Sequence, residues 1–141
     1  MRGIGSDVPF VLDASVAACW AFADENHPVA AVVLERMRTD IAIAPSIWWF
    51  EVRNVLIVSE RRGRLTEIDS HGFLRALAQL GVRIDPAPDE GMVLALARTQ
   101  RLSVYDASYL ALALREGVAL ATLDQGLGAA ARAVGVELVE G

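Results

Sequence analysis

The sequence contains no lysine; all 13 of its basic residues are arginine. That absence excludes a Walker A loop and a lysine Schiff base, both of which need an ammonium group. It also excludes a receiver-type phosphoryl site. A single cysteine, Cys19, cannot close an internal disulfide and fits a reducing compartment. No apolar run reaches the roughly 18 residues needed to span a bilayer. The first seven residues lack the apolar core of a secretory signal, so a cytoplasmic protein is expected. No G-x-S-x-G elbow or G-x-G-x-x-G loop follows a predicted strand. His27 and His71 lie in polar stretches and are assigned no ligand role.

What is present is apolar. Hydrophobic residues make up 54% of 141, enough for one folded domain over residues 1–141, with 1–8 as a flexible N-terminal extension. Short apolar runs at 10–12, 41–44 and 118–122, and the mixed segments 82–85 and 136–139, read as strands. Helical patterns separate them, with Pro28 opening one helix and Gly81, Gly117 and Gly135 ending others. Pro45 is expected to start a helix from Ser46 to about Arg62. This stretch has almost no polar face, so it is expected to be buried in the core or against a partner. The alternation predicts an α/β fold: a mainly parallel sheet of about five short strands with helices on both faces.

Four acids stand apart. Asp13 and Asp124 each follow a strand and precede a helix, so each suits either a helix N-cap or the functional edge of a parallel sheet. Ser103 and Asp106 have the spacing of a cap and its acidic partner. Glu51 fits no cap. It lies inside WWFEVRNVL and faces solvent, meets an arginine, or is buried and needs a cation, a proton or several donors; Asn54 shares its helix face. Carboxylates without histidine or thiolate nearby point to Mg²⁺ or Mn²⁺ rather than Zn²⁺. A dehalogenase-type phosphatase needs a second acid two places after the first, where Ser15 stands. The net charge of −5 does not mark the whole molecule as a nucleic-acid binder. Arg53, Arg61, Arg62 and Arg64 can meet phosphates locally, or belong to a solvated helix end. Trp48 and Trp49 suit core or dimer packing, or base stacking.

The segments FVLDASV, PSIWWFEVRNVL, YDASYLALALREG and LATLDQGL, in that order, resemble the motifs of PIN-domain ribonucleases of the VapC toxin type. The resemblance covers about residues 9–139. It implies a PIN fold in which Asp13, Glu51, Asp106 and Asp124 surround one or two Mg²⁺ or Mn²⁺ ions, supported by Ser15 and Thr122. Some relatives carry a further acid after the last aspartate; here Gln125, Gly126 and Gly128 stand there. The resemblance further implies RNA as substrate, an antitoxin protein as partner and a homodimer. The competing expectation is a catalytically silent PIN-like module that binds RNA or protein.

Overall fold

Short apolar runs, each followed by a helix, form a parallel sheet. A computed structural model describes residues 8–141. The extension expected over residues 1–8 lies, but for Val8, outside the described residues. In chain order the elements are β1 (Phe10–Leu12), α1 (Ala14–Cys19), α2 (Pro28–Arg36), β2 (Ala42–Pro45), α3 (Ile47–Arg61), α4 (Glu67–Gln79), β3 (Arg83–Asp85), α5 (Glu90–Thr99), α6 (Val104–Glu116), β4 (Ala119–Ala121) and α7 (Gln125–Ala133). The strand order is β3-β2-β1-β4, with every pairing parallel. The chain places β1, β2 and β3 outward in one direction, then returns to set β4 on the other side of β1. Strand order therefore reverses between β1 and β4, and ligand sites in open α/β sheets form at such a reversal.

Both β1 and β2 are buried along their whole length. Strands covered on both faces read as continuous apolar runs, which is how these appear in the sequence. Helix α6 lies against β1 and β2, with α5 and α7 packed on it. Its Ala107, Tyr109, Leu110, Ala111, Leu112 and Ala113 are buried. Helix α1 packs against α2 and α3. Gly117 closes α6 at φ 65°, a left-handed conformation that glycine adopts without steric cost.

Of about five expected strands, four form. The segment 136–139 contributes one parallel bridge, Leu120 to Leu138. Two 2.9 Å bonds hold it: Leu120 N–H to the Glu137 carbonyl and Val139 N–H to the Leu120 carbonyl. Pro45 ends β2 rather than opening α3, which begins two residues later at Ile47. At a strand terminus its missing N–H interrupts no long ladder. Helix α3 is buried along Trp48, Val52, Leu56 and Ser59, and its other apolar face is open, with Trp49, Phe50 and Ile57 exposed. Val32 of α2 is also exposed. His27 caps α2, its Nδ1 accepting the Val29 N–H. No helix among the described residues is long and apolar enough to cross a membrane.

Helix α4 starts with a reciprocal capping box. Thr66 Oγ1 accepts the Asp69 N–H at 3.1 Å, and Asp69 Oδ2 accepts the Thr66 N–H at 2.9 Å. Thr66→Ala is expected to cost about 1 kcal/mol, read as a drop in the thermal or denaturant midpoint.

Candidate active site

The site begins where β1 stops. Asp13, the next residue, donates its N–H to the Ala121 carbonyl of β4 at 2.9 Å. This bond sets Asp13 at the reversal of strand order. Its carboxylate is buried. It occupies the N-cap position of α1 but makes no side-chain capping bond. Instead Oδ2 accepts two hydroxyl protons, from Ser15 Oγ at 2.7 Å and from Thr122 Oγ1 at 2.6 Å. Each hydroxyl also accepts a backbone N–H at 3.0 Å: Leu123 N–H reaches Ser15 Oγ, and Asp124 N–H reaches Thr122 Oγ1. A hydroxyl that accepts on one side has its proton free to point at the other, here at Asp13.

Asp124 does cap a helix. Its Oδ1 accepts the Leu127 N–H of α7 at 3.0 Å. The two aspartates that look alike in sequence thus differ: one caps, the other is held by hydroxyls. Asp106 lies in the first turn of α6, its N–H on the Ser103 hydroxyl at 3.0 Å. Glu51 lies in the second turn of α3. It is half-buried, and Tyr109 of α6 donates its hydroxyl to Oε1 at 2.5 Å.

Burial is the main reason that Asp13, Glu51 and Asp106 all hold protons more tightly than ordinary carboxyls. Like charge adds to it. Asp124 acts on Asp13, while Asp13 and Asp106 act on Glu51. Asp124 and Asp13 act on Asp106. The hydroxyl donors oppose the rise at Asp13 and Glu51. Burial and the bond to Glu51 push the Tyr109 phenol upward, so it remains a donor at neutral pH. Among the described residues, none of the four acids is paired with an arginine or histidine. The four acids form one patch of uncompensated negative charge.

The donor set is all oxygen, which suits a hard divalent cation. Among the described residues, no three His, Cys, Asp or Glu side chains stand close enough to grip one ion unaided. Mg²⁺ does not require that, since it commonly takes one or two carboxylates and keeps several waters. The residues therefore fit such an ion by charge and chemistry.

Other expected site residues are placed differently. Asn54 is exposed, and no hydrogen bond joins it to Glu51. The Arg53 guanidinium lies 3.8 Å over the Trp49 ring and donates to the Trp49 carbonyl at 3.0 Å. Arg64 pairs with Asp24 and Glu25 and lies over Phe22. Arg61 and Arg62 are exposed. Trp48 is a core residue, 4% exposed, whereas Trp49 is 46% exposed. Tyr109 was not singled out from sequence. Its signal is a tyrosine in an otherwise apolar helix row, because a buried phenol needs a partner.

A family model described as PIN domain matches residues 10–133. Two solved structures resemble the chain in fold. PAE2754 from Pyrobaculum aerophilum is 24% identical, with a TM-score of 0.68 over 87% of this chain and 86% of its own. FitAcB from Neisseria gonorrhoeae is 17% identical, with a TM-score of 0.65 over 93% of this chain and 96% of its own. No curated protein sequence gives a match.

The acid patch has a signature in stability. A carboxyl whose pKa is raised by folding binds its proton more tightly in the native state. Its stabilising contribution is therefore present at low pH and is lost as pH rises from the ordinary carboxyl range through the raised value. In chelator, Asp106→Asn is expected to melt a few degrees above wild type at pH 7.5, with the gap closing toward pH 4. Paired thermal melts across that range check it.

Proposed function

The chain belongs to the PIN-domain family, and from that premise we propose that it is a divalent-metal-dependent endoribonuclease, the toxin of a toxin–antitoxin pair. PIN domains are in general nucleases. The observation that carries the reading is the patch of four acids without a countercharge at the strand-order reversal. Asp13, Asp106 and Asp124 would hold Mg²⁺ or Mn²⁺, one or two of them directly and the rest through its waters, with Glu51 at the water shell. When bound, such an ion neutralises the acids and supplies Lewis-acid activation of water and of a phosphoryl oxygen.

The chain's own residues prepare that patch. Ser15 and Thr122 fix one oxygen of Asp13, so the carboxylate cannot rotate freely. Tyr109 fixes one oxygen of Glu51 and leaves the other for water. Asp124 keeps Oδ1 on the α7 backbone, which orients its second oxygen. Attack by water forms one P–O bond and breaks the bond to the 3′ oxygen, which takes a proton. The products carry a 3′-hydroxyl and a 5′-phosphate, and the 2′-hydroxyl is not used. Arg61 and Arg62 are the exposed arginines of the expected set that make no ion pair among the described residues, and would meet RNA phosphates. The exposed apolar residues of α3 and α4 away from the acids, Ile57 and Ile68, mark the surface we assign to a homodimer or antitoxin.

A second reading, a PIN-like module that binds without cleaving, is favoured by the spacing of the acids, no three of which converge on one point as they stand. Incubation with total RNA and Mn²⁺, followed by end-mapping, separates the two. Wild type is expected to give 5′-phosphate ends and to melt higher with Mn²⁺, and Asp13→Asn to lose both effects. A 2′,3′-cyclic phosphate product rules out the mechanism, and identical responses of wild type and Asp13→Asn favour the binding module. Tyr109→Phe is expected to keep the fold and weaken the apparent Mn²⁺ affinity by about 10-fold, read by titration of the melting temperature.

A further inference from the structure

Where α3 and α6 begin and α5 approaches them, bordered by residues next in sequence to Glu51 and Asp106, lies a cleft of about 420 Å³. Phe50, Val93, Val104 and Tyr105 give it apolar walls, and Asp85 and Glu90 are its ionisable lining residues. The reaction proposed above makes no use of it. We propose that this cleft receives one unpaired nucleobase of the RNA, stacked on Phe50 and Tyr105, while the attached phosphate lies at the acids. The inference rests on the ribonuclease reading and specifies how that site takes its substrate.

Register carries the first part of the argument. Phe50 immediately precedes Glu51 on α3, and Tyr105 immediately precedes Asp106 on α6. Consecutive helical residues project about 100° apart. Each aromatic therefore stands beside an acid rather than over it, on two of the three helices that border the cleft. A nucleotide has the same division, with its charged phosphate to one side of its planar base.

Exposure and order carry the second part. Phe50 is 61% exposed and Tyr105 59% exposed. Phe50 is nevertheless braced: the Trp49 ring meets it edge-on, with centroids 5.0 Å apart and planes at 69°. Trp49 is itself held under the Arg53 guanidinium at 3.8 Å. Arg53 and Trp49 thus act as positioning residues for an exposed aromatic face, which lowers the ordering cost of binding.

Charge carries the third part. No arginine lines the cleft; its Asp85 is paired with Arg115 at 2.8 Å, and its Glu90, unpaired among the described residues, repels phosphate. The part of RNA that suits such a wall is the neutral base, whose π-face stacks on aromatics whatever its identity. A base can enter only when it is unpaired.

The test uses a single-stranded RNA that wild type cuts at a mapped position, the same RNA in a duplex, and versions with one abasic nucleotide next to the cut. Wild type is expected to prefer the single strand. Phe50→Ala and Tyr105→Ala are expected to raise KM by about 5- to 100-fold with little change in melting temperature, and Tyr105→Phe to restore it. An abasic nucleotide at one flanking position should cost wild type the same factor and cost Tyr105→Ala nothing further. Additive losses, or an unchanged KM in both alanine variants, overturn the inference while leaving the ribonuclease intact. Alanine variants that turn a dimer into a monomer at unchanged KM assign the cleft to a second copy and also overturn it. Failure of wild type to cut any RNA removes the underlying reading, and this inference with it.

Discussion

The Oδ2 atom of Asp13 is the point on which the carboxyl edge of the sheet depends. A buried carboxylate without a countercharge is costly unless hydrogen bonds replace the lost water. Ser15 and Thr122 supply two such bonds, and both hydroxyls are themselves fixed by the backbone of residues 123 and 124. The solvation of one acid therefore also anchors the segment that leaves β4. That segment carries Asp124, whose cap starts α7. Charge and architecture are joined at this atom: the contacts that make Asp13 tolerable also bring the next acid to it.

The same economy appears in α3. Its lack of one continuous polar face reflects several distinct surfaces rather than uniform burial. Trp48, Val52 and Leu56 face the core. Glu51, one step round from Phe50, meets Tyr109 of α6. Phe50 borders the cleft, and Trp49 packs between Phe50 and Arg53. A helix that serves a core, an acid patch and an exposed aromatic ledge is apolar almost all round without being buried all round. The acids form the complementary case: three of them hold their protons above the ordinary range, chiefly because of burial and then because of one another.

Local signals were legible in the sequence wherever a local force decides the outcome. The apolar runs at residues 10–12 and 42–45 are strands because both faces are covered. Thr66, Ser103 and Asp124 start helices because each has a side-chain oxygen within reach of an N–H two or three residues on. The glycines at 81, 117 and 135 take positive φ. Pro45 misled, since a proline suits a strand's last residue as well as a helix's first. The run at 136–139 falls short of a strand because Leu120 alone pairs with it. Asp13 and Asp124 were indistinguishable as caps, because the choice depends on a hydroxyl from another element. Arg53 and Arg64 looked free for phosphates, but an aromatic ring and two acids respectively engage them.

By itself, then, the sequence determined the order of the elements, the type of most of them, the parallel character of the sheet and a set of carboxylates in a chain without lysine. These follow from composition and from forces acting over a few residues. Only the tertiary structure decided which oxygen of Asp13 is bonded and by what, since Thr122 lies 109 residues away. It also decided that Glu51 meets a tyrosine 58 residues distant rather than an arginine or solvent. Both outcomes depend on how α6 and β4 pack against β1, a geometry that no local propensity specifies. Asp13 was a candidate in the sequence; the packing of β4 beside β1 decided which groups hold its carboxylate.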